Sequence, residues 1–164
     1  MLFRSGTVTN GVLAAGGITV NGYGIGPSIG DGVSAAGSND SAISKAAAFN
    51  AVSGSTGVTA KASATTLTGI ASTGARVGIA GDASNNIYVN NVKLGNIAAG
   101  ADAVTQGANI AAAFNAVSNQ SGVTATFSTT TGAVSLTAAD GRNISLIANG
   151  TGATLANTGL TMGA

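Results

Sequence analysis

Two stretches of this chain, Ala46–Ala60 "AAAFNAVSGSTGVTA" and Ala111–Ala125 "AAAFNAVSNQSGVTA", are one fifteen-residue phrase written twice with three differences. Such a phrase can mark two catalytic sites, two binding sites or two copies of a building unit. The residue types available decide among them. The chain has no His and no Cys, so it lacks the ordinary general base near neutral pH, the thiolate nucleophile and the soft metal ligand. Without Cys there is no disulfide framework either. A building unit is the expectation.

The copies extend beyond the phrase. "GITVNGYGI" (17–25) corresponds to "NIYVNNVKL" (86–94), with Asn21 matching Asn90. Asn50 matches Asn115, so the first copy carries four extra residues between these landmarks. They fall in "GPSIGDGVSAAG", a loop-like run holding the single proline. "STGARVGIA" (72–80) corresponds to "ADGRNISLI" (139–147). The units run from 17 to 81 and from 86 to 151, flanked by 1–16 and by a returning strand segment at 152–164.

Each unit follows one grammar. Alternating "ITVN" or "IYVN" opens it as a half-buried strand. After a loop comes an Ala-rich helix with Asn39 or Asp102 as its N-cap, apolar positions at helical spacing, and Gly54 or Asn119 at the left-handed C-cap position. "GVTAKAS" and "GVTATFS" then alternate as strands. In the second copy "AVSLTAADGRNISLIA" (133–148) predicts a hairpin closed by a type I′ turn at Asp140-Gly141. The fold class expected is α+β: two tandem units, each one short Ala-rich helix packed on antiparallel β-strands and hairpins. One such helix has little core of its own, and pairing two units buries more apolar surface. The leftover segments Ser5–Gly16 and Gly152–Ala164 carry spaced apolar residues. They are expected to meet as an antiparallel stalk, bringing the chain ends together.

In this order, the pieces resemble the flagellin hook IN motif of the outer domains of bacterial flagellins and of flagellar hook-associated proteins. The family pattern is an apolar-Asn-Gly strand, a helix ending in apolar-Asn-Ala, a Gly-Val-Thr-Ala strand and a Leu-Thr-Ala-x-Asp-Gly hairpin. The second copy matches at Val89-Asn90, Phe114-Asn115-Ala116, Gly122–Ala125 and Leu136–Gly141. The first matches at Val20-Asn21-Gly22, Phe49-Asn50-Ala51 and Gly57–Ala60, and departs at its hairpin, "ASTGAR". Both have Phe where the family usually has Ile, and the second has Asn91 for Gly. The resemblance implies a structural, surface-exposed, extracellular segment of a flagellin filament subunit. Its contacts with other flagellar subunits would run through regions absent from this chain, because the long heptad-patterned polymerisation helices of flagellins are missing. A hook-associated or filament-cap protein is the first alternative. A glycan-binding module of an adhesin or phage fibre is the second, weakened by the absence of Trp and the presence of only Tyr23 and Tyr88.

Composition bounds the partners. Charged residues make up 7%, far below the roughly 25% of ordinary globular proteins. Six Lys and Arg balance five Asp, with no Glu. No basic footprint for nucleic acid and no polybasic helix for a membrane surface is present. Mean hydropathy is positive at +0.40, which argues for a folded chain rather than a disordered one. No apolar run reaches the ~18 residues of a membrane span. The opening "MLFRSG" lacks the apolar segment of a secretory signal and reads as readily as a cloning scar or a cut point as a native start.

Asn50 and Asn115 are the residues most open to a binding role; satisfying backbone groups near a helix end is the plainer expectation. Phe49, Phe114, Val52 and Val117 read as core. Asp31, Asp40, Asp82, Asp102 and Asp140 are single carboxylates without calcium-loop spacing, and Asp40, Asp102 and Asp140 fit turns or caps. No catalytic, cofactor-binding or metal-ligating residue and no cofactor is assigned, so the chain is read as a non-enzyme.

Overall fold

The computed structural model describes residues 11–150 and 152–161. In chain order the elements are β1 (Thr19–Val20), β2 (Tyr23–Gly24), α1 (Ala42–Asn50), α2 (Ser53–Thr56), β3 (Thr65–Thr68), β4 (Asn86–Val89) and β5 (Val92–Lys93). Then come α3 (Ala103–Ala116), α4 (Ser118–Ser121), β6 (Thr124–Phe127), β7 (Val134–Ala138), β8 (Leu146–Asn149) and α5 (Leu155–Thr158). The strands form three small antiparallel sheets, β1-β2, β3-β7-β6 and β5-β4-β8. The protein is α+β.

The two copies run through the same opening elements. Each begins with a two-residue hairpin, β1-β2 pairing Val20 with Tyr23 and β4-β5 pairing Val89 with Val92. Both central residues of each turn have positive φ: 51° and 86° at Asn21-Gly22, 47° and 65° at Asn90-Asn91. That is the type I′ geometry, whose twist matches the flanking strands. Asn91 stands in for Gly because Asn is among the side chains that best tolerate the left-handed region.

The helices start differently. Asp102 caps α3 as expected, accepting the Thr105 N–H at 2.7 Å. In the first copy Ser41, rather than Asn39, is the N-cap, its Oγ accepting the Ser44 N–H at 3.0 Å. The run "SNDS" (38–41) offers side chains that bond the backbone locally, and α1 begins a turn later than α3. Both helices are followed by one more helical turn, so the left-handed caps fall at Gly57 (φ 68°) and Gly122 (φ 72°). Gly54 and Asn119 lie inside α2 and α4 instead.

The hairpin expected at Asp140-Gly141 does not form as a paired unit. A turn is present, with the Gly141 N–H bonded to the Ala138 C=O at 3.2 Å. Its central residues Ala139 and Asp140 keep negative φ, so it is not type I′. The chain then diverges: β7 lies between β3 and β6, while β8 pairs with β4. In the first copy, 57–61 is not a strand. The late part of unit 1 serves unit 2, with β3 completing the β7-β6 sheet and Ile79 bridging to Ile97.

The core accordingly sits in the second copy. Ile87, Val89, Ile110, Phe114, Val123, Val134 and Leu136 are fully buried in one cluster with Ile79, Leu94, Ile97 and Leu160. Burying such a side chain stabilises by about 1.5–3 kcal/mol. Substitutions at matching positions explain why the first copy builds no equivalent. Lys45 stands where Ile110 is buried, and Ala62 stands where Phe127 packs. Val58 is 40% exposed while its counterpart Val123 is at 0%. Phe49 is half-buried where Phe114 is fully buried.

Gly107 sits inside α3, where glycine costs about 1 kcal/mol relative to Ala. A Cβ there would overlap the Gly132 carbonyl oxygen, so the close approach of helix to the 128–132 turn requires it.

The C-terminal segment, expected as a returning strand, contains the helical turn α5 and sends Leu160 into the core. Among the described residues, no hydrogen bond joins 11–16 to 152–161; Leu13 instead exchanges bonds with Ser28. Ser5 and Met162, the markers of the expected stalk, lie outside the described residues.

Candidate functional site: the duplicated asparagine clamp

The repeated phrase places one Asn at the end of a helix and, ten residues later, an Ala in the following segment. Asn115 donates from Nδ2 to the Ala125 C=O at 2.9 Å and accepts the Ala125 N–H on Oδ1 at 2.8 Å. Asn50 makes the same pair of bonds to Ala60, both at 2.8 Å. A carboxamide presents one donor and one acceptor side by side, as a backbone residue does, so it can act as a one-residue strand. In the second copy this matters because β6 is an edge strand. Asn115 occupies the outward-facing groups of Ala125 that would otherwise be open for pairing.

Three further contacts occur in both copies. Asn21 Nδ2 donates to the Thr56 C=O (2.8 Å) and Asn90 Nδ2 to the Ser121 C=O (2.9 Å), tying each hairpin turn to the end of its helix. Ser53 and Ser118 hydroxyls donate to the Asn50 and Asn115 carbonyls, at 2.8 and 2.9 Å. Thr56 and Ser121 accept the Val58 and Val123 N–H groups, each at 3.2 Å. Asn90 goes one step further than Asn21. It exchanges two bonds with Ser145, taking its N–H on Oδ1 (2.8 Å) and donating its own N–H to the Ser145 C=O (2.9 Å).

A third clamp was not legible in the sequence. Asn157, buried to 2% exposure, accepts the Val77 N–H at 3.1 Å and donates to the Val77 C=O at 2.9 Å. Its Oδ1 also accepts from buried Gln106 (3.3 Å), whose Oε1 takes the Gly100 N–H (2.6 Å). Aligned on its Asn, "LANTG" (155–159) matches "FNAVS" (114–118) at no other position, and so carried no signal.

Beside each repeated clamp lies an open groove. One, of about 560 Å³, is lined by Ile43, Ala47, Asn50 and Ala60. The other, of about 420 Å³, is lined by the matching Ala108, Ala112, Asn115 and Ala125. Their walls are mostly Ala methyls, and the Asn amides at their ends are already bonded to backbone.

The five carboxylates are held in local turns and caps, and each titrates below the usual Asp range. The Lys45 ammonium lowers Asp40, while the Gly11 N–H adds to it. Backbone N–H groups of Ser84 and Asn85 lower Asp82. Thr105 lowers Asp102, and the Arg142 guanidinium lowers Asp140. Partial burial pushes Asp31 up, but donors from Ser34 and Val33 outweigh it. All are ionised at neutral pH, so none is a proton donor there. Among the described residues no three His, Cys, Asp or Glu side chains gather in one place.

Tyr23, the more exposed of the two tyrosines, is 50% accessible, and no groove described above includes it. No model of a known protein family matches this chain, and no curated protein sequence matches it.

Proposed function

We propose that the chain is a structural, surface-exposed segment of a bacterial flagellin filament subunit, extracellular and without catalytic activity. Two IN-type units would form a weakly charged knob on the filament, setting its surface properties. One observation carries the non-catalytic part of this reading. The polar side chains common to both copies, Asn21/Asn90, Asn50/Asn115 and Ser53/Ser118, bond the protein's own backbone rather than converging on a cavity. The flagellar part rests on the ordered motif set in both copies. Contacts with other flagellar subunits would run through regions outside this sequence.

Immunogold labelling with antibodies raised against residues 1–164 tests the placement. Decoration along the length of the flagella of the source bacterium supports a flagellin. Decoration confined to the hook junction or filament tip favours a hook-associated or cap protein. Cells whose flagella stay unlabelled overturn the flagellar reading.

A further inference from the structure

Three Asn-Gly steps occur in the chain: Asn10-Gly11, Asn21-Gly22 and Asn149-Gly150. Such a step can modify itself, because a glycine has no side chain to keep its backbone nitrogen away from the preceding carboxamide. The nitrogen must lose its proton and swing toward Cγ by rotation about the Cα–C bond of the Asn. Local structure sets the three steps apart. Asn10 lies outside the described residues, but the Gly11 N–H is donated to the Asp40 carboxylate at 3.0 Å, which holds its proton in place. Asn21 is in the left-handed region, φ 51°, inside the β1-β2 turn. A left-handed residue holds the next nitrogen nearly opposite its own Cβ, the arrangement farthest from ring closure. Swinging it round would open the pair of Val20 with Tyr23. The Asn21 Nδ2 is also tied to the Thr56 C=O at 2.8 Å.

Asn149 differs in its backbone and its surroundings. As the last residue of β8, paired with Asn86, it has an extended backbone, which carries the next nitrogen closer to Cβ. The remaining rotation disturbs only the end of the strand. Asn149 and Gly150 are both exposed, and among the described residues nothing accepts the Gly150 N–H. The Asn149 side chain is restrained by a bond from Nδ2 to the Asn86 Oδ1 at 3.2 Å. Gly150 itself is not exchangeable: its φ is 88°, and a Cβ there would overlap the Ser84 carbonyl oxygen. The fold thus requires the residue that makes the step labile.

We propose that Asn149 is a site of spontaneous deamidation, and that its conversion loosens the pairing of β8 with β4. The deprotonated Gly150 nitrogen attacks the Asn149 Cγ, the Cγ–Nδ2 bond breaks, and the leaving nitrogen takes up a proton to depart as ammonia. A five-membered succinimide ring remains. Water then adds to one of its two carbonyl carbons, leaving an aspartate or an isoaspartate at position 149. Either product puts a carboxylate where an amide had donated to Asn86, a residue only 1% exposed. The bond is lost and two acceptors face each other. Isoaspartate also lengthens the main chain by one methylene, which shifts the strand end out of register.

Peptide mapping by mass spectrometry tests this on the full chain aged in mildly alkaline buffer, with and without urea. In the folded protein Asn149 should convert severalfold faster than Asn21. In urea, where both backbones are free, the two rates should converge. Asn149→Gln should stop the reaction at this position, since the longer side chain would have to close a larger ring. Equal rates at Asn149 and Asn21 in the folded protein, or one ratio with and without urea, overturns the assignment. Asn149→Asp should lower the urea midpoint, and an unchanged midpoint overturns the loosening of the sheet. Should that variant fail to fold, amide exchange across the Asn86–Asn149 pair in aged wild-type protein decides. Exchange that quickens with conversion, while Leu136 keeps its protection, supports the loosening; exchange indifferent to conversion contradicts it.

Discussion

Asn115 pairs with Ala125 as a strand residue would, one side-chain amide meeting both the N–H and the C=O of a single backbone residue at 2.8 and 2.9 Å. Asn50 and Ala60 repeat the relationship in a more exposed setting. The twice-written phrase is thus a local folding instruction: helix, clamp, left-handed glycine, extended segment.

Asn115→Ala should therefore destabilise the protein by about 2–3 kcal/mol, two lost bonds beside a part-buried strand. Asn50→Ala should cost about 1 kcal/mol or less, because water replaces the lost partners. Urea denaturation of both variants checks the order; equal effects would contradict it.

The unequal burial of matching residues gives a second contrast. Val123→Ala should cost about 2–3 kcal/mol, while Val58→Ala should lie within about 0.5 kcal/mol of wild type. Ile110→Ala belongs with the first, at about 2–5 kcal/mol. The same denaturation curves read these values.

Gly107→Ala sets propensity against packing. Helix propensity alone predicts a gain of up to about 1 kcal/mol. The overlap of the new Cβ with the Gly132 carbonyl oxygen predicts a net loss of about 1–3 kcal/mol. A raised melting temperature would show that the 128–132 turn yields freely.

How far the sequence revealed all this depended on how local each signal was. The Asp102 cap, the ends of the helices near Asn50 and Asn115, and the α+β class follow from residues within one turn of each other. The cap at Ser41 in place of Asn39 is a choice among adjacent capping residues in "SNDS". The Asp140-Gly141 turn is local and present, but which strands its arms join is not. β7 and β8 choose β6, β3 and β4, and no spacing in the chain encodes that choice. The type I′ turns at Asn21-Gly22 and Asn90-Asn91 are local too, and the first is the standard dipeptide for that geometry, whereas Asn-Asn is a weaker signal for it. Asn50 and Asn115 were legible as backbone-satisfying residues, whereas the Asn157 clamp spans 80 residues and could not be.

Acid should destabilise the protein in a specific window. Each Asp carboxyl has a folded-state pKa below its unfolded value, so its contribution is fully present above that value and lost as pH falls through the folded one. With no His, Cys or Glu, the urea midpoint should stay flat between about pH 5 and 7 and drop below about pH 4. A midpoint that rises on acidification would contradict the donor assignments.

The most direct test of the scaffold role of the repeated phrase is amide exchange at Ala125 in Asn115→Ala, read against Leu136 in the same sample. If the Asn serves the backbone, Ala125 protection falls to that of an open edge while Leu136, bonded within the sheet, remains protected. Ala125 exchanging at its wild-type rate in the variant would show that its N–H never depended on Asn115, and would return the duplicated Asn to the pool of candidate ligand contacts.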